Sequence, residues 1–282
     1  MQLLEPKTTY IVEYPHAVDL TNKQMGIFWF PDEIKVEKDV HDILTNLTEA
    51  ERHGVITTLK LFTKYELIVG EEYWNTVARV FQKPADIQRM ANCFSFFELN
   101  VHAPFYAKIN EALGLATEEF YNEYTNDPVL AQRMDMLEHY AKNVDPEFLM
   151  MLAFTEGAVL YSSFAFLKHF QSQGKNKILN IVRGINFSAR DEGLHSEASA
   201  WLFRTWVNEH GDKPEDYAEV ATRLAAIVRE HEYAIVDKIF ERGDIEGITA
   251  TQMKHFVDSR IDVVARNLGL KNLYDVNYNS VS

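Results

Sequence analysis

The chain has 282 residues, a formal net charge of −14 and one cysteine, Cys93. The acidic balance argues against nucleic acid as a partner, because phosphate binding needs a basic surface. A lone cysteine excludes a disulfide within the chain, and residues 1–7 lack the basic-then-apolar order of a signal peptide. We therefore expect a cytoplasmic protein, and its apolar fraction of 46% is ample for a large core.

Hydrophobic periodicity predicts a chain of long α-helices. Residues 1–30 carry few periodic signals and are expected to form an irregular arm. Thr48-x-x-Glu51 has the form of a capping box and opens a long helix, and Pro84 suits the first turn of the next one. The predicted helices span about 31–42, 48–81, 84–113, 117–124, 127–142, 145–172, 175–210, 214–242 and 249–268.

The sequence shows no convincing strand pair and no linker that divides it. We therefore expect an all-α protein with a single domain over residues 1–282, in which 270–282 form the C-terminal end. The longest apolar run, Phe148 to Phe166, nearly reaches membrane-spanning length. Because Glu156 lies near its middle, we interpret the run as a buried helix and expect no membrane partner.

One short motif, Arg190 to His195, points to metal chemistry. Glu192 and His195 are three residues apart, which puts both side chains on one face of a helix. A carboxylate beside an imidazole suits Fe, Mn or Zn. The flanking segments Ile178–Val182 and Ala200–Phe203 are apolar, so this helix is expected to be largely buried. A buried glutamate needs a partner, and a metal ion is one such partner.

Similar side chains recur along four predicted helices, in the order carboxylate, carboxylate with histidine, carboxylate, carboxylate with histidine. In chain order they are Glu66, Glu98 with His102, Glu156, and Glu192 with His195. A four-helix bundle arranges such a set around two metal ions, as in ferritin-like dimetal-carboxylate proteins. Taken singly, Glu66 or Glu98 is more readily an ordinary, partly solvated residue. The joint pattern is what predicts a dimetal site.

The sequence also resembles a known family, the radical-generating small subunit of class I ribonucleotide reductase, from about residue 28 to 270. The segments that carry the resemblance are Phe154–Gly157, Ser162–Ala165 and above all Arg190–His195, with looser matches at His102–Tyr106 and Phe28–Pro31. The resemblance implies a ferritin-like bundle, a homodimer and a large catalytic subunit as partner. The apolar run at 148–166 agrees with a dimer, since it suggests more buried surface than one bundle needs.

The resemblance further implies the chemistry. The dimetal site would activate an oxygen species and oxidise a nearby tyrosine. The tyrosyl radical would then serve the large subunit in reducing ribonucleotides to deoxyribonucleotides. Two iron ions per chain are implied, with manganese or a mixed manganese–iron pair as alternatives.

Residue by residue, the resemblance assigns further roles. The six residues of the carboxylate and histidine pattern fall at the family's metal ligands, and Tyr106 falls at the radical position. Asp191 falls at the carboxylate that orients His102, and Trp29 at the radical-relay tryptophan. Leu160, Phe164 and Ser188 fall at positions that line the radical's pocket. Without the resemblance, Tyr106 would be interpreted as a core aromatic and Trp29 as packing.

The sequence departs from the family pattern in three ways. Glu98 and His102 are four residues apart rather than three, which, with Pro104 close by, predicts a π-bulge that keeps Glu98 in the site. The first ligand is Glu66 rather than the commoner Asp. The family normally continues into a tail that docks on the large subunit, but Tyr274 and Tyr278 match no such tail. We expect either a shortened chain or a different docking mode.

Two alternative functions use the same kind of bundle. A dimetal oxidase or monooxygenase would need a substrate cavity beside the metals, and the pair Trp29 and Asp191 argues against it. An iron-storage protein in a ferritin-like shell needs neither Tyr106 nor Trp29, and it predicts a large cage rather than a dimer.

Overall fold

The computed structural model describes residues 2–5, 9–81, 85–172, 174–274 and 276. In these residues the regular structure is helical, apart from one isolated antiparallel bridge between Ile245 and Ile248. The predicted all-α class is confirmed, whereas the division into a single domain stays a prediction. The α-helices are α1 (Pro15–Gly26), α2 (Glu49–Ile68), α3 (Asn75–Val80), α4 (Ala85–Phe97), α5 (Ala103–Ala112), α6 (Glu118–Asn122), α7 (Pro128–Tyr140), α8 (Pro146–Gly157), α9 (Tyr161–His169), α10 (Leu179–His210), α11 (Ala218–Ile239) and α12 (Ala250–Asn267).

The N-terminal region is more ordered than its sequence suggested. The expected irregular arm over residues 1–30 is wrong for 15–26, which form α1 with a proline in its first turn. Buried Leu20 and Gln24 hold this helix against the protein, where it packs on α4. The short helix expected at 31–42 is also wrong. That region instead forms 3₁₀ turns at Pro31–Glu33 and Val36–Asp39, followed by a π-helical turn at Asp42–Asn46.

The first long helix begins where the sequence predicted. Thr48 Oγ1 accepts from the Glu51 amide at 3.2 Å and the Glu51 carboxylate accepts from the Thr48 amide at 2.9 Å, which confirms the capping box. A π-helical turn at Val69–Trp74 then joins α2 to α3. Gly70 in this turn allows close packing, because a Cβ there would lie 2.7 Å from Leu99 Cγ. Pro84 lies outside the described residues.

A second π-helical turn, Glu98–His102, joins α4 to α5. This confirms the distortion predicted from the four-residue spacing of Glu98 and His102. Pro104 lacks an amide hydrogen and cannot donate to the carbonyl of Asn100. A regular α-helix would therefore lose this hydrogen bond in any case. The wider turn absorbs the additional residue and keeps both side chains directed inward.

The apolar stretch expected as one helix over 145–172 is two helices. They are α8 and α9, separated by residues 158–160, where Leu160 adopts a left-handed conformation with φ of 73°. Gly157 precedes the break and packs tightly on α10, since a Cβ there would lie 2.3 Å from Ser196 Oγ. The stretch Pro146–His169 is long and apolar enough to cross a membrane, but its most apolar window is entirely buried inside the protein. Burial in the core accounts for its composition.

The remaining helices surround this buried pair. Helix α10 packs along α8 and α9, while α11 and α12 cover α8 from the other side. Helix α2 contacts α5, α9 and α11. Side chains of α2, α8, α10 and the segment between α4 and α5 meet in one interior region. The predicted helices at 175–210, 214–242 and 249–268 are confirmed, with first α-helical residues at Leu179, Ala218 and Ala250.

Candidate metal centre

The structure brings together the six side chains that the sequence predicted as ligands. Glu66 comes from α2, Glu156 from α8, and Glu192 with His195 from α10. Glu98 and His102 come from the π-helical turn between α4 and α5. None of the six residues is more than 2% exposed. The cluster therefore lies in the interior of the bundle, away from solvent.

The six residues form two overlapping groups, in each of which potential ligand atoms lie within 4.8 Å of one another. The first group contains Glu66 and His102, and the second contains Glu156 and His195. Glu98 and Glu192 belong to both groups. Each group thus offers one carboxylate and one imidazole of its own, together with the two shared carboxylates. This is a donor set for two adjacent cations.

Both imidazoles direct Nδ1 into the cluster. His102 Nδ1 lies 2.7 Å from Glu98 Oε2 and 3.1 Å from Glu192 Oε1. His195 Nδ1 lies 2.5 Å from Glu98 Oε1 and 3.7 Å from a Glu192 oxygen. The two rings are stacked with centroids 6.2 Å apart. One nitrogen of each ring is thus available to a cation between the helices.

The other ring nitrogen of each histidine faces a different partner. His102 Nε2 lies 3.2 Å from Asp191 Oδ2, and His195 Nε2 lies 3.1 Å from Gln24 Oε1. Such contacts fix the orientation of a ligating imidazole. The sequence led us to expect the contact of Asp191 with His102 but not that of Gln24 with His195. Gln24 lies on α1, in the region expected to be irregular, and nothing in its local sequence signals a partner in α10.

A test of fit comes from unsatisfied buried atoms. Both carboxylate oxygens of Glu66 and of Glu192, and one each of Glu98 and Glu156, make no hydrogen bond of acceptable geometry. Burying a neutral polar group without a hydrogen bond costs roughly 2–7 kcal/mol, and an ionised carboxylate without a partner costs more. Their convergence in one cluster fits a pair of divalent cations. A mixed oxygen and imidazole donor set suits iron or manganese.

The electrostatics of the cluster are consistent with cation binding. Burial, with the charges of Glu192 and Glu98, raises the pKa of Glu66 and of Glu156 well above its usual range. Burial opposes the ionisation of Glu98 too, but His102 and His195 hold its pKa well below the usual range. Burial opposes the protonation of His102 and of His195, but Glu98 raises the pKa of each imidazole well above its usual range, so their protons balance part of the carboxylate charge. Divalent ions would displace these protons on binding.

Trp74 is a further site residue that the sequence did not reveal. Its indole Nε1 donates a hydrogen bond to Glu156 Oε1, and the side chain is fully buried. The π-helical turn at Val69–Trp74 carries it. The two partners are 82 residues apart in sequence, so no local pattern could have linked them. Trp74 thus holds Glu156 Oε1, which lies 3.7 Å from His195 Nδ1, and Glu156 Oε2 is left without a hydrogen bond.

On the opposite side, Asp191 connects His102 to Trp29. The indole Nε1 of Trp29 donates to Asp191 Oδ2 at 2.8 Å, the same oxygen that faces His102 Nε2. Arg190 reaches Asp191 Oδ1 at 3.1 Å and the Ile27 carbonyl at 2.7 Å, which ties the segment before Trp29 to α10. The result is a continuous hydrogen-bonded path from the cluster to Trp29.

Tyr106 lies in an apolar pocket next to the cluster. Its ring centroid is 4.4 Å from that of Phe62, which in turn is 5.9 Å from Phe164. Burial, with the charge of Glu66, raises the pKa of Tyr106 well above its usual range, so the phenol is neutral. Its hydroxyl donates to Ser188 Oγ at 3.0 Å. Leu160, also expected in this pocket, is buried at the break between α8 and α9.

Comparisons with known proteins agree with this geometry. A sequence model of the family described as "Ribonucleotide reductase, small chain" matches residues 7–280. The ribonucleoside-diphosphate reductase small chain of Vaccinia virus (strain Ankara) is 23% identical over 277 residues, which cover 94% of this chain and 81% of the viral one.

Two solved structures have a similar fold. Dimanganese(II)-NrdF of Streptococcus sanguinis superposes with a TM-score of 0.84 at 20% identity, over 99% of this chain and 96% of that chain. The ribonucleotide reductase R2 subunit from Clostridium botulinum gives a TM-score of 0.81 at 21% identity, over 95% and 86% of the two chains.

Proposed function

Because the chain belongs to the ribonucleotide reductase small-chain family, we propose that it stores a radical on Tyr106 for use by a large catalytic subunit. The family membership makes it the small subunit of a ribonucleoside-diphosphate reductase with a ferritin-like fold. The large subunit would use the radical to reduce ribonucleotides to deoxyribonucleotides. As part of the same proposal, we assign the protein to the cytoplasm, in keeping with its lone Cys93.

The observation that carries the proposal is the pair of overlapping donor groups that share Glu98 and Glu192. We assign one metal ion to Glu66 and His102 and the other to Glu156 and His195, with the two shared carboxylates between them. When bound, the metal pair supplies the activation of an oxygen species that oxidises a tyrosine. The protein's part is to hold the ions, exclude water and position the groups that lose or carry charge.

Tyr106 has the surroundings that a stored radical needs. It is fully buried, its ring packs against Phe62 and Phe105, and the charge of Glu66 acts on it. Proximity to the cluster supports its oxidation, and a dry pocket keeps water and reductants from the product. Its phenol oxygen is not one of the six donor groups, so it is not needed as a metal ligand.

We assign Asp191 and Trp29 to the connection with the large subunit. Asp191 Oδ2 accepts from Trp29 and faces His102 Nε2, so one carboxylate both orients the imidazole and holds the indole. Trp29 is itself only 3% exposed but its neighbours Phe28 and Phe30 are exposed. The path therefore leads from the buried cluster to a residue directly beneath the surface.

Two iron ions are the proposed cofactor, and manganese or a mixed pair fits the same donors. The Streptococcus sanguinis structure is described as dimanganese(II). Electron paramagnetic resonance together with elemental analysis, after loading the protein with each metal under air, distinguishes the choices. The functional metal is the one whose loading gives both a tyrosyl signal and nucleotide reduction in the presence of the large subunit.

We also propose a homodimer, on grounds different from those the sequence suggested. The apolar stretch 146–169 is buried within its own chain and leaves no apolar face for a partner. Exposed apolar side chains lie elsewhere, where Met25 and Phe96 line one surface groove. Exposed apolar surface is typical of protein–protein contacts, so this groove supports a contact between two identical copies. Sedimentation at micromolar concentration should give a dimer, and a monomer or a large shell would contradict this.

The function is tested by replacing the proposed radical residue. Tyr106→Phe should bind metal like the wild type, lose the tyrosyl signal and lose nucleotide reduction with the cognate large subunit. Tyr73→Phe is a matched control, since Tyr73 is also fully buried but donates to the Leu137 carbonyl, outside the site. An unchanged signal and full turnover in Tyr106→Phe would show that the radical lies on another group.

A further inference from the structure

The pocket around Tyr106 contains one polar side chain in contact with the phenol. Ser188, which is fully buried on α10, accepts the hydroxyl hydrogen of Tyr106 at 3.0 Å. The neighbouring walls of the pocket are the aromatic rings of Phe62 and Phe105. Among the described residues, Ser188 is the hydrogen-bond partner of the Tyr106 hydroxyl, and two aromatic rings pack on the phenol ring.

The hydroxyl of Ser188 is free to change its role. A serine hydroxyl carries one hydrogen and two acceptor lone pairs, and it rotates to suit its partners. Among the residues that the structure describes, Tyr106 is the one hydrogen-bond partner of Ser188. The serine hydrogen is thus not engaged by another acceptor, and rotation about one bond can direct it at the phenol oxygen.

We infer that Ser188 is a positioning residue for the radical, which donates a hydrogen bond to the phenoxyl oxygen of oxidised Tyr106. This inference rests on the proposed function, because it requires the radical on Tyr106. Forming the radical removes one electron and the hydroxyl proton from Tyr106; under the proposed function both go to the activated oxygen species, and Ser188 keeps its own proton. A phenoxyl oxygen has no hydrogen and can only accept, so the direction of the bond between the two residues reverses. The 3.0 Å separation of the two oxygens already suits the reversed bond, and no backbone movement is needed.

The reversed bond has two consequences. It stabilises the radical in a pocket where an unpaired polar oxygen would be unfavourable. It also places one exchangeable hydrogen next to the oxygen that carries much of the unpaired spin. That hydrogen gives a hyperfine coupling that disappears from the proton spectrum when it is replaced by deuterium.

The experiment compares the radical in H₂O and in D₂O by electron–nuclear double resonance. The metal-free wild-type protein is exchanged into each solvent and then loaded under air. We expect a strong exchangeable proton coupling in H₂O and the matching deuteron coupling in D₂O. In Ser188→Ala the tyrosyl signal should persist without this coupling, its largest g-value should rise, and its lifetime should shorten.

Ser199→Ala is the matched control. Ser199 is also fully buried on α10, but its hydroxyl donates to the carbonyl of His195 in its own helix. It should keep the exchangeable coupling of the wild type.

Three results would overturn the inference, and they differ in what they say about the function. A Tyr106 radical without exchangeable coupling in the wild type refutes the role of Ser188 alone. A coupling that survives in Ser188→Ala does the same, since the donor is then another group. A metal-loaded wild-type protein without any tyrosyl signal refutes the inference together with the radical function. The wild-type comparison of solvents needs no variant, so a Ser188→Ala protein that failed to fold would leave the inference testable.

Discussion

Trp29 Nε1 donates a 2.8 Å hydrogen bond to Asp191 Oδ2, although 162 residues separate the two in sequence. The same carboxylate oxygen lies 3.2 Å from His102 Nε2. The N-terminal segment is therefore joined directly to a residue of the metal cluster. Under the proposed function, this contact begins the path by which the radical reaches the large subunit.

The first prediction concerns this contact. Trp29→Phe removes the indole donor but keeps an aromatic ring in the core. It should retain metal binding and the tyrosyl signal, because both lie on the other side of Asp191, and it should lose nucleotide reduction with the large subunit. Trp201→Phe is the control, since Trp201 packs on Tyr14 and His16 instead. Normal turnover by Trp29→Phe would remove Trp29 from the path.

The second prediction concerns Gln24, whose side chain faces His195 at 3.1 Å. Gln24→Leu keeps the approximate volume but cannot accept a hydrogen bond, so the imidazole of His195 loses its orienting partner. Losing such a contact weakens metal affinity by about 10–100-fold. Titration with Mn²⁺ should show this loss for one of two ions, with the other unchanged. The control Gln171→Leu, changed at an exposed position, should bind both ions normally. If Gln24→Leu also bound both ions with wild-type affinity, Gln24 would not be the residue that orients His195.

The third prediction concerns a buried ion pair outside the metal centre. Arg133 of α7 donates to Glu232 and to His231 Nε2 of α11, and all three are at most 2% exposed. Arg133→Met leaves Glu232 buried without its cation, which should lower the free energy of unfolding by about 3–5 kcal/mol.

The matched control is Arg223→Met, because Arg223 pairs with Glu147 at the surface with half of its side chain exposed. Exposed pairs contribute about 0–1 kcal/mol, so this variant should unfold like the wild type in urea. Equal stability of the two variants would show that the buried pair has little effect.

Much of the site could be predicted because its signals are local. Glu192 and His195 lie within one turn of the same helix. The extra residue between Glu98 and His102 predicted the π-helical turn that the structure contains. Such patterns depend on backbone geometry, which repeats within one helix. The family resemblance then supplied the assignment of Tyr106, Asp191 and Trp29.

The parts that could not be predicted depend on contacts between distant segments. The break before α9 follows Gly157, which packs closely on Ser196 of α10. The sequence remains apolar across the break, so its pattern gave no sign that one helix ends there. Gln24 and Trp74 reach the site from α1 and from the turn after α2, and each partner lies far along the chain. Sequence periodicity describes one helix at a time and carries no information on which helix meets which.

The most direct test of the account is the number of metal ions held by the wild type and by three variants. After loading with Fe²⁺ or Mn²⁺, the wild type should hold about two ions per chain, because two donor groups are present. Glu66→Ala should lose one ion, since Glu66 belongs to one group, whereas Glu192→Ala should lose most of both, since Glu192 belongs to the two. Glu118→Ala, changed at an exposed position, should match the wild type. Fewer than one ion per wild-type chain, or equal losses in Glu66→Ala and Glu192→Ala, would contradict a centre built on shared carboxylates.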